Sequence, residues 1–285
     1  MNAQVGNVRN SFNNIVPGNS FQAANSMVAK FGFIFLALIL FVTFLRLGSS
    51  FLSWFFEPSK SPILINGMID SKNMSVIPQN PSTSGALPIL RSTNDDDGME
   101  FTWSVWIYIN DFNYKRDEYK HVFHKGNDNI NLTETDANYG VNQPNNGPGL
   151  YITPHTNDLV VIMNTFEKIN NEVKIKGVPL KKWINVIIRL NKQNQLDVYI
   201  NGTLTKRHML HGVAKQNYGN VFVSMNRGFD GNTSELRYFD SAINMTKIRN
   251  IVENGPNLKI TNTSNIAKSK PYYLSSNWYF NELSS

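Results

Sequence analysis

The chain has 285 residues, with 27 Lys+Arg, 21 Asp+Glu and no cysteine, and 41% of it is hydrophobic. That length suits one large domain with appendages or two small ones, and the absent cysteines exclude disulfide frameworks, thiolate metal sites, iron–sulfur clusters and a Cys nucleophile. The formal charge of +6 is spread thinly: residues 1–60 carry Arg9, Lys30, Arg46 and Lys60 against Glu57, and residues 61–285 carry 23 basic and 20 acidic side chains. The second part lacks the Lys/Arg block that a phosphate-tracking stripe needs, so no nucleic-acid partner is expected. The 40 asparagines fit a loop-rich all-β fold, because Asn favours turns and left-handed positions. AT-rich coding DNA gives the same excess without structural purpose.

Residues 1–30 are polar, Asn-rich and without period, which reads as a tail. From Phe31 to Leu45 the chain runs FGFIFLALILFVTFL, without charge or proline. Fifteen helical residues reach about 22 Å, short of a hydrocarbon core of about 30 Å. Continuation through Arg46 to Phe56 closes the gap. Lys30 then snorkels at one end, Trp54, Phe55 and Phe56 form an aromatic belt at the other, and Pro58 stops the helix. A buried core helix fits poorly, since the segment is apolar all round. A cleaved signal sequence is the rival, with Gly48, Ser49 and Ser50 after the apolar run, but the 30 preceding residues far exceed a usual n-region and their charges are sparse. The expected layout is a tail over 1–30, a membrane helix over 31–56 and a hinge over 57–60. A domain over 61–258 follows, then an aromatic-rich tail over 259–285. Six N-x-[S/T] sequons (Asn73, Asn131, Asn201, Asn232, Asn244, Asn262) all follow the span. They lean the orientation toward N-terminus inside and the domain exterior or lumenal, while the flanking charges hardly separate the two orientations.

The domain is rich in strand signals. Phe101–Ile109 (FTWSVWIYI) places Phe101, Trp103, Val105, Ile107 and Ile109 on one face and Trp106 and Tyr108 on the other. Further strands are predicted over 121–124, 149–153, 159–165, 172–178, 182–190, 195–201, 204–210, 220–225 and 235–239, near the spacing of an all-β sandwich. Asn191–Asn194 and Asn201-Gly202 read as hairpin turns. Residues 127–148, rich in Asn, Gly and Pro, read as a long surface loop. Asn244–Asn254 is the one helix predicted in the domain: Asn244 as N-cap, Met245, Ile248, Ile251 and Val252 as an apolar stripe, Gly255-Pro256 as the stop.

These residues carry a resemblance. Lys182-Trp183-Ile184-Asn185-Val186 followed by Gln195-Leu196-Asp197-Val198-Tyr199-Ile200-Asn201-Gly202 resembles the central hairpin of laminin-G-like domains in the concanavalin A-like lectin/glucanase superfamily. Phe101–Trp106 is similar to that family's F-T-[IV]-[SE]-x-W strand. Gly231 with Ser234–Phe239 and the helix to Gly255 is similar to its closing segment. Ile65-Asn66-Gly67 and Val76-Ile77-Pro78 resemble its first strands. Asn185, where many relatives have His, and Asn244-Met245, where Ser/Thr-x-Glu is usual, depart from the pattern. The resemblance spans about residues 61–258 and implies an antiparallel two-sheet jelly-roll sandwich, here with one N-terminal transmembrane helix and one short C-terminal helix. The order of span, sandwich and aromatic tail also resembles membrane-anchored proteins of large DNA viruses.

The superfamily includes glucanases, so catalysis needs a test. Retaining glycoside cleavage requires paired carboxylates about 5–5.5 Å apart, which on a strand means E-x-D-x-(x)-E. Glu134-Thr135-Asp136 lacks the third acid, and Arg237 stands two residues after Glu235 where a second acid belongs. No G-x-S-x-G elbow or P-loop occurs. An enzyme is not expected, glycoside hydrolase being the remote alternative. His121/His124 and His208/His211, each spaced by three, are expected to face opposite sides of their strands and to chelate poorly.

The resemblance makes Ca²⁺ the only cofactor to consider, with Asp95, Asp97 and Glu100 as weak oxygen donors; a solvated acidic turn is the simpler reading. For glycans, Trp106, Tyr108, Arg189, Asp197 and Tyr199 offer aromatic faces and polar groups on the sheet face opposite the core. The competing and favoured reading has Trp106 and Tyr108 covered by the second sheet, a loop or the aromatic tail. Tyr272, Tyr273, Trp278 and Tyr279 read as a partner-docking tail. The expected function is a single-pass, non-catalytic membrane protein with a structural or assembly role, its partners being the bilayer and neighbouring proteins, among them capsid or other virion proteins. A lectin-like glycan-binding module is the alternative.

Overall fold

A computed structural model describes residues 27–55, 59–92, 94–95 and 98–261. The polar stretch 1–26, Asp97, Asn262 and the aromatic residues Tyr272, Tyr273, Trp278 and Tyr279 lie outside the described residues, and Asp95 is described in its backbone alone. The chain divides into two units at Glu57/Pro58.

The first unit is helix α1, Met27–Phe55, about 43 Å long at 1.5 Å per residue. It lacks a polar stripe, and its Phe, Leu, Ile and Trp side chains are exposed from Phe31 to Phe55. Thr43 Oγ1 donates to Ile39 O at 2.7 Å and Ser49 Oγ to Arg46 O at 2.9 Å, which satisfies both hydroxyls inside the helix. Residues Lys30–Phe55 are long and apolar enough to cross a bilayer. A membrane anchor and a signal sequence both meet that description.

The second unit is a sandwich of two six-stranded antiparallel sheets. Its strands are β1 (Met68–Asp70), β2 (Ser75–Ile77), β3 (Asn94–Asp95), β4 (Gly98–Met99), β5 (Phe101–Asp111), β6 (Lys120–Gly126), β7 (Gly149–Ile152), β8 (Leu159–Met163), β9 (Asn171–Ile175), β10 (Trp183–Asn191), β11 (Gln195–Ile200), β12 (Thr203–Met209), β13 (Asn220–Val223) and β14 (Asp230–Phe239). Sheet 1 runs β1-β14-β5-β10-β11-β12, sheet 2 runs β2-β13-β6-β7-β8-β9, and β3 and β4 form a separate small hairpin. The first strands begin at Met68 and Ser75. The first therefore starts just after the expected Ile65-Asn66-Gly67, where Gly67 takes a φ of 113°.

The period-two alternation of the sequence is what closes the core. Phe101, Trp103, Val105, Ile107 and Ile109 of β5, with Ile184, Val186, Ile188 and Leu190 of β10, share one buried apolar cluster with Val122, Phe123, Leu150, Ile152, Val161 and Val173 of sheet 2. Trp103 sits at its centre, 5.3 Å from the Phe123 ring and 5.1 Å, edge-on, from Tyr238. Each such side chain contributes roughly 1.5–3 kcal/mol by burial, which lets the sandwich stand without disulfides. Both hairpins form as expected. Asn201-Gly202 takes φ of 49° and 79°, and the Asn191–Asn194 turn places Lys192 and Gln193 at 50° and 66°, the left-handed pair that matches strand twist.

Helix α2, Met245–Asn254, follows β14. Asn244 Oδ1 accepts from Lys247 N at 2.9 Å, and Gly255 ends the helix with φ 70°. Ile248 is its buried anchor.

One expectation needs correction. Residues 127–148 are not surface loop throughout. Residues 132–137 are exposed, but Gly140, Val141, Asn142, Asn146, Gly147 and Pro148 are buried, because this second half folds onto the outer face of sheet 2.

Candidate functional site

Each sheet has an outer face, and the chain covers both. On sheet 1 the alternation that sends Trp103 and Val105 inward sends Trp106 and Tyr108 outward, beside Arg189, Asp197 and Tyr199. The structure brings these five onto one face, where Trp106, Asp197 and Tyr199 are buried and Tyr108 and Arg189 half-buried. Tyr199 is buried with Ile187, Phe239, Ile243 and Ile248 beneath α2. Trp106 is 5% exposed, and Tyr108 packs on Trp183 at 5.6 Å. Asp197, fully buried, accepts from Arg189 Nη2 at 2.8 Å and from Arg207 Nε at 2.7 Å. Burial pushes its pKa up, but the hydrogen bonds and charges of Arg207 and Arg189 outweigh that and hold the carboxyl below its ordinary value. Arg189 Nη1 also reaches Ile243 O at 3.1 Å, so the trio pins β10, β11, β12 and the approach to α2. These residues staple a covered face. Helix α2 is the cover over Tyr199.

On sheet 2 the expectation that His121 and His124 face opposite sides is overturned. A bulge between His121 and Phe123 shifts the alternation by one residue, so both imidazoles point the same way and meet at 2.6 Å, Nε2 to Nδ1. Met225 N donates to His121 Nδ1 at 3.0 Å, and His124 Nε2 reaches Asn127 O at 2.8 Å. Burial drives the His124 pKa down to about 4 and that of His121 well below its ordinary value, with the His124 charge adding to the latter. Around them, Tyr151 donates to Asn146 Oδ1 at 2.5 Å, Asn146 Nδ2 to Asn142 O at 2.8 Å, and Asn142 Nδ2 to Asn145 O at 2.6 Å. Val141 of the loop packs with Tyr151, Val160 and Ile162. The Asn-rich stretch thus satisfies its own buried backbone.

The weak metal candidates are not brought together as a described site. Glu100 is 9% exposed and accepts from Lys192 N at 3.4 Å. Among the described residues no group of three His, Cys, Asp or Glu side chains is placed to hold a metal ion. Glu134 is exposed. Asp136 serves its own turn, accepting from Asn138 N and Asn131 Nδ2.

Among the described residues, one lateral edge is open along a whole strand, where β12 of sheet 1 and β9 of sheet 2 are the outermost strands. Six of the seven residues of β12 are exposed, including Leu204, Lys206, Arg207 and Met209. Beside it lies a polar cleft of about 420 Å³ lined by Asn138, Lys168, Asn170, Asn171, Glu172, His208 and His211. His211 N donates to Asn171 Oδ1 at 3.1 Å and Thr165 Oγ1 to His211 O, so the two sheet edges are tied together here. His208 has its pKa lowered by burial and by His211, and Asn170 Oδ1 is buried without a hydrogen-bond partner. Phe166 and Ile169, in the loop that carries Asn170, are 72% and 53% exposed. The sequence signal for this edge was an apolar pair in a polar loop between strands, which periodicity alone does not single out. Of the sequons, Asn73, Asn201 and Asn244 are exposed, and Asn131 and Asn232 are half-buried.

No curated protein matches the chain. Among solved structures it is similar to the receptor binding domain of botulinum neurotoxin D, at 14% identity over 58% of this chain and 39% of that one, with a TM-score of 0.43. It is also similar to the binding domain of botulinum neurotoxin DC solved with rat synaptotagmin II, at 17% identity over 55% and 36%, with a TM-score of 0.41. The chain therefore spans well under half the length of these structures. A family model described as the concanavalin A-like lectin/glucanases superfamily, of laminin-G type, matches residues 82–249. With the two antiparallel sheets and the strand order above, the chain belongs to that superfamily.

Proposed function

We propose that the chain is a membrane-anchored, non-catalytic binding module that docks a protein partner along the β12 edge. The observation carrying this reading is the contrast in cover: α2 closes the outer face of sheet 1, loop 127–148 closes that of sheet 2, and β12 is exposed along its length. An uncovered edge strand offers a row of unpaired N–H and C=O groups to an extended segment. Lys206 and Arg207 on β12, with Lys168 and Lys215 nearby, favour an acidic or neutral segment. They disfavour a second copy, whose own Lys206 and Arg207 would be brought against them. Phe166 and Ile169 supply apolar contact at the rim. Absence of catalysis is supported by the missing carboxylate pattern and by Asp136 serving its own turn. The bilayer-length α1 supports the anchor, and the succession of span, sandwich and aromatic tail supports a place in a virion membrane beside capsid or other virion proteins.

A photo-crosslinking amino acid placed at 206 or 166 in the full chain, in its own membrane, is expected to yield a discrete protein adduct. The same group at exposed Asn113 is the control and is expected to yield none. Equal labelling at all three positions overturns docking on this edge. Release of the chain by carbonate extraction overturns the anchor.

The lectin reading has one observation in its favour: the unpartnered Asn170 Oδ1 in a polar cleft with an exposed aromatic ring nearby, an arrangement suited to a sugar hydroxyl and its C–H face. Glycan-array binding that Asn170→Ala abolishes would support it over the protein partner.

A further inference from the structure

The geometry points to an acid-sensitive latch: the His121–His124 pair ties the strained turn 224–228 to the start of loop 127–148, and one added proton unties it. The argument rests on the polarity of four groups in series. Met225 N–H can only donate and Asn127 O can only accept. With His121 Nδ1 accepting from Met225 at 3.0 Å, His121 carries its hydrogen on Nε2 and donates to His124 Nδ1 at 2.6 Å. His124 then carries its hydrogen on Nε2 and donates to Asn127 O at 2.8 Å. Every ring nitrogen is used, and each ring holds one proton. A further proton has no place in this series. On His124 it sets N–H against N–H between the rings, and reversing His121 to relieve that sets N–H against the Met225 N–H.

The surroundings offer an imidazolium no compensation. From sheet 2, Tyr151 meets His121 edge-on at 5.3 Å and Phe222 stacks on His124 at 5.1 Å. The Tyr151 phenol is held neutral, its pKa raised by burial. The loop contributes Asn127 and Asn142, which are uncharged. On β6 itself, Lys120 Nζ donates to Thr153 O and Lys125 Nζ to Gly219 O, so neither flanking side chain supplies a negative charge. Glu118, the acid at the start of this region, is committed to Lys115 and to Asn226 Nδ2. Among the described residues, no carboxylate hydrogen-bonds either ring. Burial accordingly holds His124 down to about 4.

The latch is loaded on one side. Ser224, Asn226 and Arg227 have φ of 55°, 50° and 59°, left-handed values that are costly for Ser and Arg and less so for Asn. The Met225 N–H bond to His121 is one of the contacts holding them, alongside Lys115 Nζ to Asn226 O and Tyr114 OH to Arg227 O. On the other side, Asn127 is one anchor of the stretch whose Val141 covers Tyr151, Val160 and Ile162; Tyr119 N to Tyr139 O and Gly147 N to Lys125 O are others, so its release lowers the cost of opening that stretch. Acid therefore raises the fraction of chains in which that apolar face of sheet 2 is uncovered.

The test is hydrogen exchange on the full chain in detergent micelles at pH 7 and pH 5, corrected for the intrinsic pH dependence of exchange. With His124 titrating near 6.5 when open and near 4 when closed, the open population is expected to rise about 25-fold at pH 5. Amides of 127–148 and 224–228 should lose protection together, while those of β10 and β11 keep theirs. Unchanged protection at pH 5, or a loss shared equally by β10 and β11, overturns the latch. In a His121→Asn/His124→Gln variant that keeps β10–β11 protection, the difference between the two pH values should vanish; if it persists, the pair is not the trigger. If that variant does not fold, the wild-type profile still decides.

Discussion

The two covered faces of the sandwich are closed by different chemistry. On sheet 1 the cover is an apolar helix over an ionic staple, with Ile248 and Tyr199 in one cluster and Asp197 held by Arg189 and Arg207. On sheet 2 the cover is an irregular loop whose buried amides meet neutral imidazoles and a phenol of β6 and β7, with the β6 amines Lys120 and Lys125 held on backbone carbonyls. The first depends on charges that persist over most of the pH range. The second depends on histidines staying uncharged. Similar burial thus yields one face insensitive to mild acid and one sensitive to it, which is the difference the following measurements probe.

The largest effect is expected at Asp197. Asp197→Ala leaves the Arg189 guanidinium, with a side chain only 14% exposed, without its carboxylate, and breaking a buried ion pair costs about 3–5 kcal/mol. Part of this is relieved at Arg207, whose side chain is 51% exposed and can turn to water, so the lower end is expected by denaturant unfolding. A loss below about 1 kcal/mol would show that the staple is dispensable and that α2 is held by its apolar contacts alone.

Next comes mild acid. The folded pKa of His124 is depressed to about 4, so between roughly pH 6.5 and 4 the unfolded chain binds a proton that the folded chain does not. Stability is complete above pH 6.5 and falls as pH drops through this window, by about 3 kcal/mol for His124 alone. Asp197, with its folded pKa lowered, loses its contribution only below the ordinary carboxylate range. An unfolding profile flat from pH 7 to 4.5 would remove the contrast between the two faces. Smaller still, Asn244→Ala removes the cap on Lys247 N and should cost about 1 kcal/mol. It should do so equally at pH 7 and pH 5, because it loosens the sheet 1 cover alone.

Much of the fold was legible because its signals are local. The alternation in FTWSVWIYI set the inward face of β5, Asn201-Gly202 set a turn, and Asn244 and Gly255 set the ends of α2. What was not legible depends on single-residue irregularities and on long-range cover. The bulge at His121–Phe123 reverses the side on which His124 lies, and alternation counted from sequence cannot contain it. Tyr199 lies on the face away from the core, as its alternation with Val198 implies, but a helix packed from some 50 residues later decides that it is concealed. The burial of Val141, Asn142 and Asn146 inside an Asn/Gly/Pro stretch has the same origin: composition reports turns, not what the turns are folded against.

The smallest effect on stability is expected where neither cover reaches. Phe166 is 72% exposed, and its described side-chain contact is the Lys215 ammonium 5.5 Å from the ring centroid, worth about 0.5–1 kcal/mol at an exposed site. Lys206 on β12 is likewise exposed. Phe166→Ser and Lys206→Glu should therefore each shift unfolding free energy by about 1 kcal/mol or less, since substitutions away from packed features rarely do more. Neither should alter the pH 7 to pH 5 difference. If docking lies on this edge, both variants lose partner adduct yield while remaining as stable as the parent. Asp197→Ala is then expected to lose stability first, and binding only as a consequence. A Lys206→Glu chain that crosslinks at full yield through position 166 would assign the recognition to the loop of Phe166 and Ile169 and not to the strand, narrowing the docking surface to the rim of the cleft.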